Sequence, residues 1–443
     1  MTPAGAGQAS GASLAELADI LLLRSGVNAA NVLLGATLLG CAAGLVGAFA
    51  LLRKRSLMTD ALAHATLPGI CAAFLIADSV GLAAKSLPIL LAGAAATGVL
   101  GVLAVQLIVG RTRVREDAAI GIVLSVFFGA GVVLLSAIPR LTPTPSGGLN
   151  SFIYGQAAAL QRGEVVLIGA IGAGVLGATA LLLKPLALVS FNDAFAQSLG
   201  WPVRWIDLAL MALVVLVTIA GLQSVGLIMI VALLIIPPAA ARFWTDRLWR
   251  MLLASAVIGG LSGYAGATLS AAAPNKPAGA VIVLTAGALF GASMLLAPRR
   301  GVAAEGLRRL ALHLRVAGDH MLEALHDAAP DHPRGLPLAA LARARGLSAL
   351  HARPVLAVLR ARALVSRSGG LFVLTARGRA EGARVSRNHR LWAEYLVTHA
   401  EVARTHVDWS ADQVEHVLSE ELVAALEQSI HSRGGTRLPG ATP

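Results

Sequence analysis

The chain has few charged residues for its length and almost no cysteine. Only 14% of its 443 residues are Asp, Glu, Lys or Arg, against about 25% in soluble domains. With 56% apolar residues and a mean hydropathy of +0.73, this shortage of charge excludes a wholly water-soluble protein. Cys41 and Cys71 both lie in apolar stretches, so a disulfide framework and a cysteine-rich zinc site are excluded as well.

Several catalytic motifs are also missing from the sequence. No GxxxxGK[ST] phosphate-binding loop occurs, so we expect this chain to bind no nucleotide. No HExxH or serine-protease motif occurs either. An intramembrane enzyme, one alternative for the function, would have only a minimal catalytic site.

Apolar runs long enough to cross a bilayer, about 17 to 25 residues each, recur as far as residue 297 and then stop. They predict an all-α polytopic membrane domain over residues 28–298 with eight or nine transmembrane helices. The count is open because two short segments meet at Gly221–Gly226, a composition suited to a broken helix that lines a cavity. The predicted spans are 31–52, 60–77, 88–110, 118–138, 165–188, 206–222, 226–241, 251–273 and 280–297.

The distribution of Lys and Arg predicts the orientation, because basic loops stay on the cytoplasmic side. These loops contain residues 53–55, 111–115, 184–204, 242–250 and 299–300. Nine spans then place the N-terminus outside and the C-terminal domain in the cytoplasm. Residues 1–27 are predicted to form an interfacial segment on the membrane lipid.

Small residues recur at close spacing in two of the predicted spans, and small residues let membrane helices approach closely. We therefore expect tight helix contacts along both rows. They are Gly35, Gly40, Gly44 and Gly47 in the first span, and Gly259, Gly260, Gly263 and Gly266 in the eighth.

One histidine lies inside the apolar part of the chain, and the other ten follow residue 299. His64 comes four residues after Asp60, so both side chains share one face of a helix and can contact one cation. Ionisable groups at membrane depth are costly and therefore indicate function. The alternative is structural: His64 packs through a hydrogen bond, and Asp60 caps the start of the helix near Arg53–Arg55.

The composition becomes that of a soluble domain after residue 298. We predict a linker over 299–312, a winged-helix-like domain over 313–374, a helical domain over 375–430 and a disordered tail over 431–443. Residues 365–374 indicate a hairpin that turns at Gly369 and Gly370. The predicted helices are 307–328, 338–345, 354–362, 375–398 and 411–428.

Two helices of this region have polar faces suited to a metal ion. Asp412, Glu415 and His416 are spaced i, i+3 and i+4, and His320 and Glu323 are spaced i, i+3, so each set lies on one helix face. The alternative is an ordinary solvated surface, where Glu and His are common.

Three stretches of the membrane part carry a resemblance to a known family: LLRKRSLMTDALAHATLPG (51–69), FNDAFAQSLGWPV (191–203) and GLQSVGLIMIVALLIIPPAAARFWTDR (221–247). Residues 28–298 closely resemble the permeases of bacterial ABC importers for manganese, zinc and iron. The resemblance implies a location in the inner membrane. The implied partners are a sister or identical permease subunit, an ABC ATPase on a separate chain and an extracytoplasmic metal-binding protein.

The same resemblance implies two functional segments. The DALAH segment would face the translocation path, which assigns Asp60 and His64 to the path. The second stretch matches the family's cytoplasmic coupling helix, although an ordinary connecting loop is the alternative. Its coupling residues would be Phe191, Asn192, Asp193, Ala196, Leu199 and Gly200.

Residues 313–430 resemble the manganese- and iron-dependent repressors of the diphtheria-toxin-repressor type. The resemblance rests on HMLEAL (320–325), LTARGRAEGARVSRNHRLWAEYL (374–396) and WSADQVEHVLSEELVAAL (409–426). Iron-type relatives have a cysteine where this chain has Asp412, and a hard oxygen ligand there favours Mn(II). Asp319 is an alternative to His320. The implied metal ligands are His320, Glu323, His389, Asp412, Glu415 and His416.

DNA is not expected as a partner. Pro354 is predicted to break the recognition helix at 348–364, and its face offers Ala, Val and Leu where base-reading side chains are usual. The sequence thus predicts a permease that imports a divalent metal, Mn(II) first, with a fused cytoplasmic metal sensor. Zinc or iron import is one alternative, and a membrane-tethered metal-responsive transcription factor is another.

Overall fold

The computed structural model describes residues 27–83, 86–141, 161–272, 277–344 and 348–399, together with Asp19 and Arg24. The chain divides into two compact units, Met1–Ala304 and Glu305–Pro443. The predicted interfacial segment apart from Asp19, Arg24 and Val27, the tail, and the predicted ligands Asp412, Glu415 and His416 lie outside the described residues.

The first unit is helical throughout its described part. Eight of its helices are long and apolar enough to cross a membrane, which confirms the predicted polytopic class. Its helices are α1 (Val27–Leu52), α2 (Ser56–Ser79), α3 (Leu87–Arg111), α4 (Glu116–Leu141), α5 (Arg162–Leu181), α6 (Leu183–Phe191), α7 (Asp193–Ser198), α8 (Val203–Val225), α9 (Leu227–Ala241), α10 (Leu248–Ala272) and α11 (Ala278–Leu296).

The predicted break between the sixth and seventh predicted spans is confirmed at Gly226. This residue ends α8 with a φ of 82°, a conformation that residues with a Cβ avoid. α8 alone is long enough to span, whereas α9 has 15 residues and is about 22 Å long.

The close approach predicted from the small residues is confirmed between α1 and α10. A Cβ added at Gly40 would overlap the carbonyl oxygen of Gly259, and one at Gly44 would overlap that of Ser255. The Ser255 hydroxyl donates a hydrogen bond of 2.6 Å to the carbonyl oxygen of Gly44. These backbones touch because no side chain separates them.

The second unit combines helices with a small antiparallel sheet of strand order β1-β3-β2. The hairpin is confirmed, because β2 and β3 are joined by Gly369 and Gly370, both with positive φ. Buried Met321, Leu356 and Phe372 belong to one apolar core. Its elements are α12 (Val302–Asp327), β1 (Leu336–Pro337), α13 (Leu338–Ala344), α14 (Ala349–Ala361), β2 (Val365–Ser368), β3 (Leu371–Leu374) and α15 (Ala376–His399).

The predicted break at Pro354 is wrong. α14 starts earlier than predicted, with Ser348 as its N-cap, and continues through Pro354. Proline costs about 3 kcal/mol in a helix interior. The buried side chains of Val355, Leu356 and Leu359 offset this cost, at about 1.5 to 3 kcal/mol for each fully buried large aliphatic side chain.

The predicted composition of the α14 surface is also wrong in part. Val355 and Leu359 face the core, and the exposed side includes His351, Arg353 and Arg360. The first helix of this unit, α12, begins at Val302. This start lies inside the segment predicted as a linker over 299–312.

Candidate metal sites

Asp60 and His64 lie one turn apart near the start of α2, as their spacing predicts. The Nε2 atom of His64 is 3.5 Å from Oδ1 of Asp60, so one cation between them can contact both. The side chain of Asp60 is 36% exposed and that of His64 is 23% exposed. A cation can therefore reach them from outside the helix bundle. The alternative that Asp60 caps the helix is wrong, because α2 begins at Ser56 and its N-cap is Arg55.

The surroundings of His64 hold its ring in place. The ring of Phe128 on α4 meets it edge to face, with centroids 4.8 Å apart. The other ring nitrogen, Nδ1, is buried and makes no hydrogen bond among the residues that the structure describes. Two ligands on one helix suit weak, exchangeable coordination completed by water, whereas a closed set of four would hold an ion tightly.

The segment after α6 forms the short helix α7. Its conformation is therefore helical and not that of a loop, and its role in coupling stays a prediction. Asn192 caps α7 by accepting a hydrogen bond from the backbone N–H of Phe195. Phe191 and Leu199 are exposed on either side of the helix, and Ala196 is buried. Gly200 follows with a φ of 80°, which explains the glycine at this position.

A network of ion pairs next to this helix was missed by the sequence analysis. The guanidinium group of Arg53 pairs with Asp193 and, at 2.8 Å, with Asp207. Arg55 pairs with Asp207 at 3.2 Å and with Glu116 at 3.4 Å. The sequence signal that could have indicated this network is Asp207, a lone carboxylate near the start of a spanning helix, because such a charge needs a basic partner.

Burial by itself lowers the pKa of Arg53. Its hydrogen bonds to Asp193 and Asp207, with the charges of those carboxylates, outweigh this effect and raise the pKa above its ordinary value. The guanidinium group is therefore charged at any physiological pH. On the other side of the network, Arg55, Glu116 and Asp207 line a cavity of about 770 Å³.

In the second unit, three of the predicted metal ligands come together from two helices. His320 and Glu323 lie on α12, and His389 lies on α15. Each histidine places Nδ1 at 4.0 Å from a different carboxylate oxygen of Glu323, whose side chain is only 6% exposed. The choice between His320 and its alternative Asp319 stays a prediction.

The donor types of this cluster suit a divalent transition metal, since imidazole and carboxylate both bind Mn, Fe and Zn. Ligand atoms on one such ion lie about 3 Å apart, given bond lengths near ~2.1 Å. The separations of 4.0 Å are wider than that. In the described part of the chain, no group of three or more His, Cys, Asp or Glu is arranged to hold a metal ion.

Two family profiles match the chain in sequence. Residues 28–297 match the ABC 3 transport family, and residues 375–433 match the domain described as "Iron dependent repressor, metal binding and dimerisation domain". The first match covers more than half of the chain, and the second covers α15 and the sequence after it.

Individual proteins agree with the first profile. The chain is 44% identical to the manganese transport system membrane protein MntC of Bacillus subtilis, over 67% of each chain. It is 41% identical to the zinc transport system membrane protein TroC of Treponema pallidum, over 63% of this chain and 92% of that protein.

Among solved structures, the chain is similar to PsaBC from Streptococcus pneumoniae in complex with Fab. The identity is 32% and the TM-score 0.56, over 65% of this chain and 98% of the other. The extent of these matches agrees with that of the membrane unit. The chain belongs to the ABC 3 transport family and carries, at its C-terminal end, a domain of the iron-dependent-repressor type.

Proposed function

We propose that this chain is the permease subunit of an ABC importer that moves a divalent metal, Mn(II) first, into the cytoplasm. The observation that carries the proposal is the Asp60–His64 pair, which offers one oxygen and one nitrogen ligand 3.5 Å apart on an accessible face of α2. MntC and TroC are named for manganese and zinc transport. Zinc and iron therefore remain alternative substrates of the same permease.

The substrate is bound only in transit. Asp60 supplies the charge that compensates a dehydrated cation, and neutral His64 supplies a second ligand whose ring Phe128 holds in place. A site for conduction must bind strongly enough for the ion to enter and weakly enough for it to leave. Two protein ligands meet this requirement, and alternating access exposes them to each side of the membrane in turn.

The partners follow from the surface next to α7. Exposed Phe191 and Leu199 form an apolar contact for an ABC ATPase on a separate chain, which supplies the free energy of ATP hydrolysis. A second permease, sister or identical, completes the path facing Asp60 and His64. An extracytoplasmic metal-binding protein delivers the ion.

This assignment places α7 in the cytoplasm, together with the basic residues 53–55 and 242–247. α8 leaves that side and α10 begins on it again, so α8 and the shorter α9 together cross the membrane twice. The N-terminus is then outside, and the C-terminal unit is cytoplasmic in the bacterial inner membrane.

The C-terminal unit is a winged-helix-type domain followed by a helical metal sensor. His320, Glu323 and His389 would hold the regulatory metal together with Asp412, Glu415 and His416. The metal would supply positive charge that compensates the buried Glu323 carboxylate. High cytoplasmic Mn(II) then favours a conformation with lower transport, which requires that the metal bind the two conformations with different affinity.

The test is uptake of radioactive Mn(II) by cells that contain the complete transporter, with Zn(II) or Fe(II) as competitor. We expect Mn(II) to enter and excess unlabelled Mn(II) to compete best. Preferential competition by zinc or iron identifies the alternative substrate, and uptake equal to that of cells without the transporter contradicts the proposal. In inside-out and right-side-out vesicles, transport unaffected by metal on the cytoplasmic face contradicts the regulatory part.

Operator binding by the C-terminal unit is the second candidate function. The uninterrupted helix α14 supports this candidate, because it exposes Arg353 and Arg360. These two side chains can contact DNA phosphates or guanine. A gel-shift assay of the full chain in detergent, with promoter DNA and with or without Mn(II), tests it. No shift at physiological salt leaves transport regulation as the role of this unit.

A further inference from the structure

A buried arginine joins the short helix α7 to the helix that carries Asp60 and His64. Arg53 lies between α1 and α2, and its side chain is only 8% exposed. Its Nη1 atom donates to the carbonyl oxygen of Val189 at 2.7 Å and to Asp193, and Nη2 donates to Asp207 at 2.8 Å. The three acceptors belong to α6, α7 and α8, so one guanidinium group connects three elements.

The backbone around Arg53 is held firmly. Lys54 has a φ of 58°, which is unfavourable for a residue with a Cβ. The N–H groups of Lys54 and Arg55 donate to the carbonyl oxygens of Leu51 and Ala50, a pattern that closes the end of α1. α2 begins immediately afterwards, at Ser56. Arg53 is therefore joined to the first turn of α2 by a short, hydrogen-bonded segment of backbone.

The two carboxylate contacts of Arg53 differ in exposure. Asp207 is 9% exposed, whereas Asp193 is 51% exposed. A buried ion pair is costly to break, because a single charge would remain without compensation. An exposed pair is weak and exchanges readily. Arg53 thus has a firm anchor on α8 and a looser contact on α7, the helix proposed to meet the ATPase.

We propose that Arg53 is a positioning residue that transmits the movement of α7 to the transport path. This inference rests on the proposed function. When the ATPase displaces α7, Asp193 moves with it and shifts Arg53 through their ion pair. The buried pair with Asp207 keeps the guanidinium group attached to α8. α2 follows, and the position of Asp60, seven residues after Arg53 in the sequence, changes relative to the path. Arg55 extends the connection to Glu116 at the start of α4.

The test compares transport with ATP hydrolysis in the complete transporter, reconstituted with its ATPase in liposomes and supplied with Mn(II). The variant is Asp193→Asn, which removes the charge of the exposed partner and leaves the buried Arg53–Asp207 pair in place. We expect at least a fivefold loss of Mn(II) moved per ATP hydrolysed, with the ATPase still bound in the purified complex. Asp193→Glu, which keeps the charge, is expected to restore at least half of the coupling.

The matched control is Asp246→Asn, because the Asp246 carboxylate is as exposed as that of Asp193 and also pairs with an arginine, Arg300, at 2.5 Å. It is expected to couple as the wild type does. An unchanged ratio in Asp193→Asn overturns the inference. Loss of the ATPase from the purified complex also overturns it, because Asp193 would then serve docking. Absence of Mn(II) transport by the wild type would instead contradict the proposed function.

Discussion

The two units of this protein bring the same kinds of ligand together by different means. In the membrane unit, Asp60 and His64 come from one helix and remain partly exposed. In the C-terminal unit, Glu323 is buried between histidines of two helices. A pair on one helix exists as soon as that helix forms, whereas the second cluster exists only when α12 and α15 pack. The difference suits a site for passage and a site for sensing.

The units also differ in how their helices pack. α1 and α10 touch through glycine backbones, because small residues permit close contact where the hydrophobic effect between helices is absent. The C-terminal unit buries large apolar side chains from three helices and the sheet, as a water-soluble domain does. Added methyl groups should therefore damage the first unit, and removed methyl groups the second.

The largest effect on transport is expected from changes to the proposed path pair. Asp60→Asn removes the negative charge of one ligand and His64→Ala removes the other ligand, so the initial rate of Mn(II) uptake by cells should fall at least about tenfold, the equivalent of ~1.4 kcal/mol. Asp78→Asn, near the other end of α2, is the matched control and should transport normally. Normal uptake by both path variants would remove Asp60 and His64 from the path.

The largest effect on stability is expected in the core of the C-terminal unit. Leu356→Ala removes a fully buried side chain and should destabilise this unit by about 2 to 5 kcal/mol. The control is Leu350→Ala on the exposed side of the same helix, where we expect less than about 0.5 kcal/mol. Hydrogen exchange of α14 in the full chain measures both. Equal protection in the two variants would contradict the packing of α14.

A smaller effect should follow from one added methyl group in the membrane unit. Gly40→Ala forces α1 away from Gly259, and overpacking of this kind costs about 1 to 3 kcal/mol. Gly174→Ala on α5, where an added Cβ meets nothing within 4 Å, should leave stability unchanged. Thermal inactivation of Mn(II) uptake compares them. A Gly40→Ala protein as stable as wild type would show that the two helices are further apart.

The smallest effect on transport is expected at the proposed sensor. His389→Ala removes one of several ligands, and the affinity of the full chain for Mn(II) under equilibrium dialysis should fall about tenfold, or ~1.4 kcal/mol. Uptake at low Mn(II) should persist, which separates the two sites. His332→Ala, an exposed histidine outside the cluster, serves as the control. Unchanged affinity would mean that His389 does not bind the metal.

Local patterns were sufficient for much of the fold. The turn at Gly369 and Gly370 and the break at Gly226 need positive φ, which glycine adopts readily. Asp60 and His64 follow from helical spacing alone. Pro354 misled the prediction, because its local cost is outweighed by the burial of Val355, Leu356 and Leu359, and burial depends on residues far away in the sequence.

The sequence by itself determined the apolar spans, the spacing of Asp60 and His64 and the polar positions of α12 and α15, because these depend on composition and helical period. Only the tertiary structure decided that Arg53 contacts Asp193 and Asp207, 140 and 154 residues away, and that His389 approaches Glu323. Such contacts depend on which helix ends meet after packing. Coulombic attraction between buried charges acts over a few ångströms in space, whatever their separation along the chain.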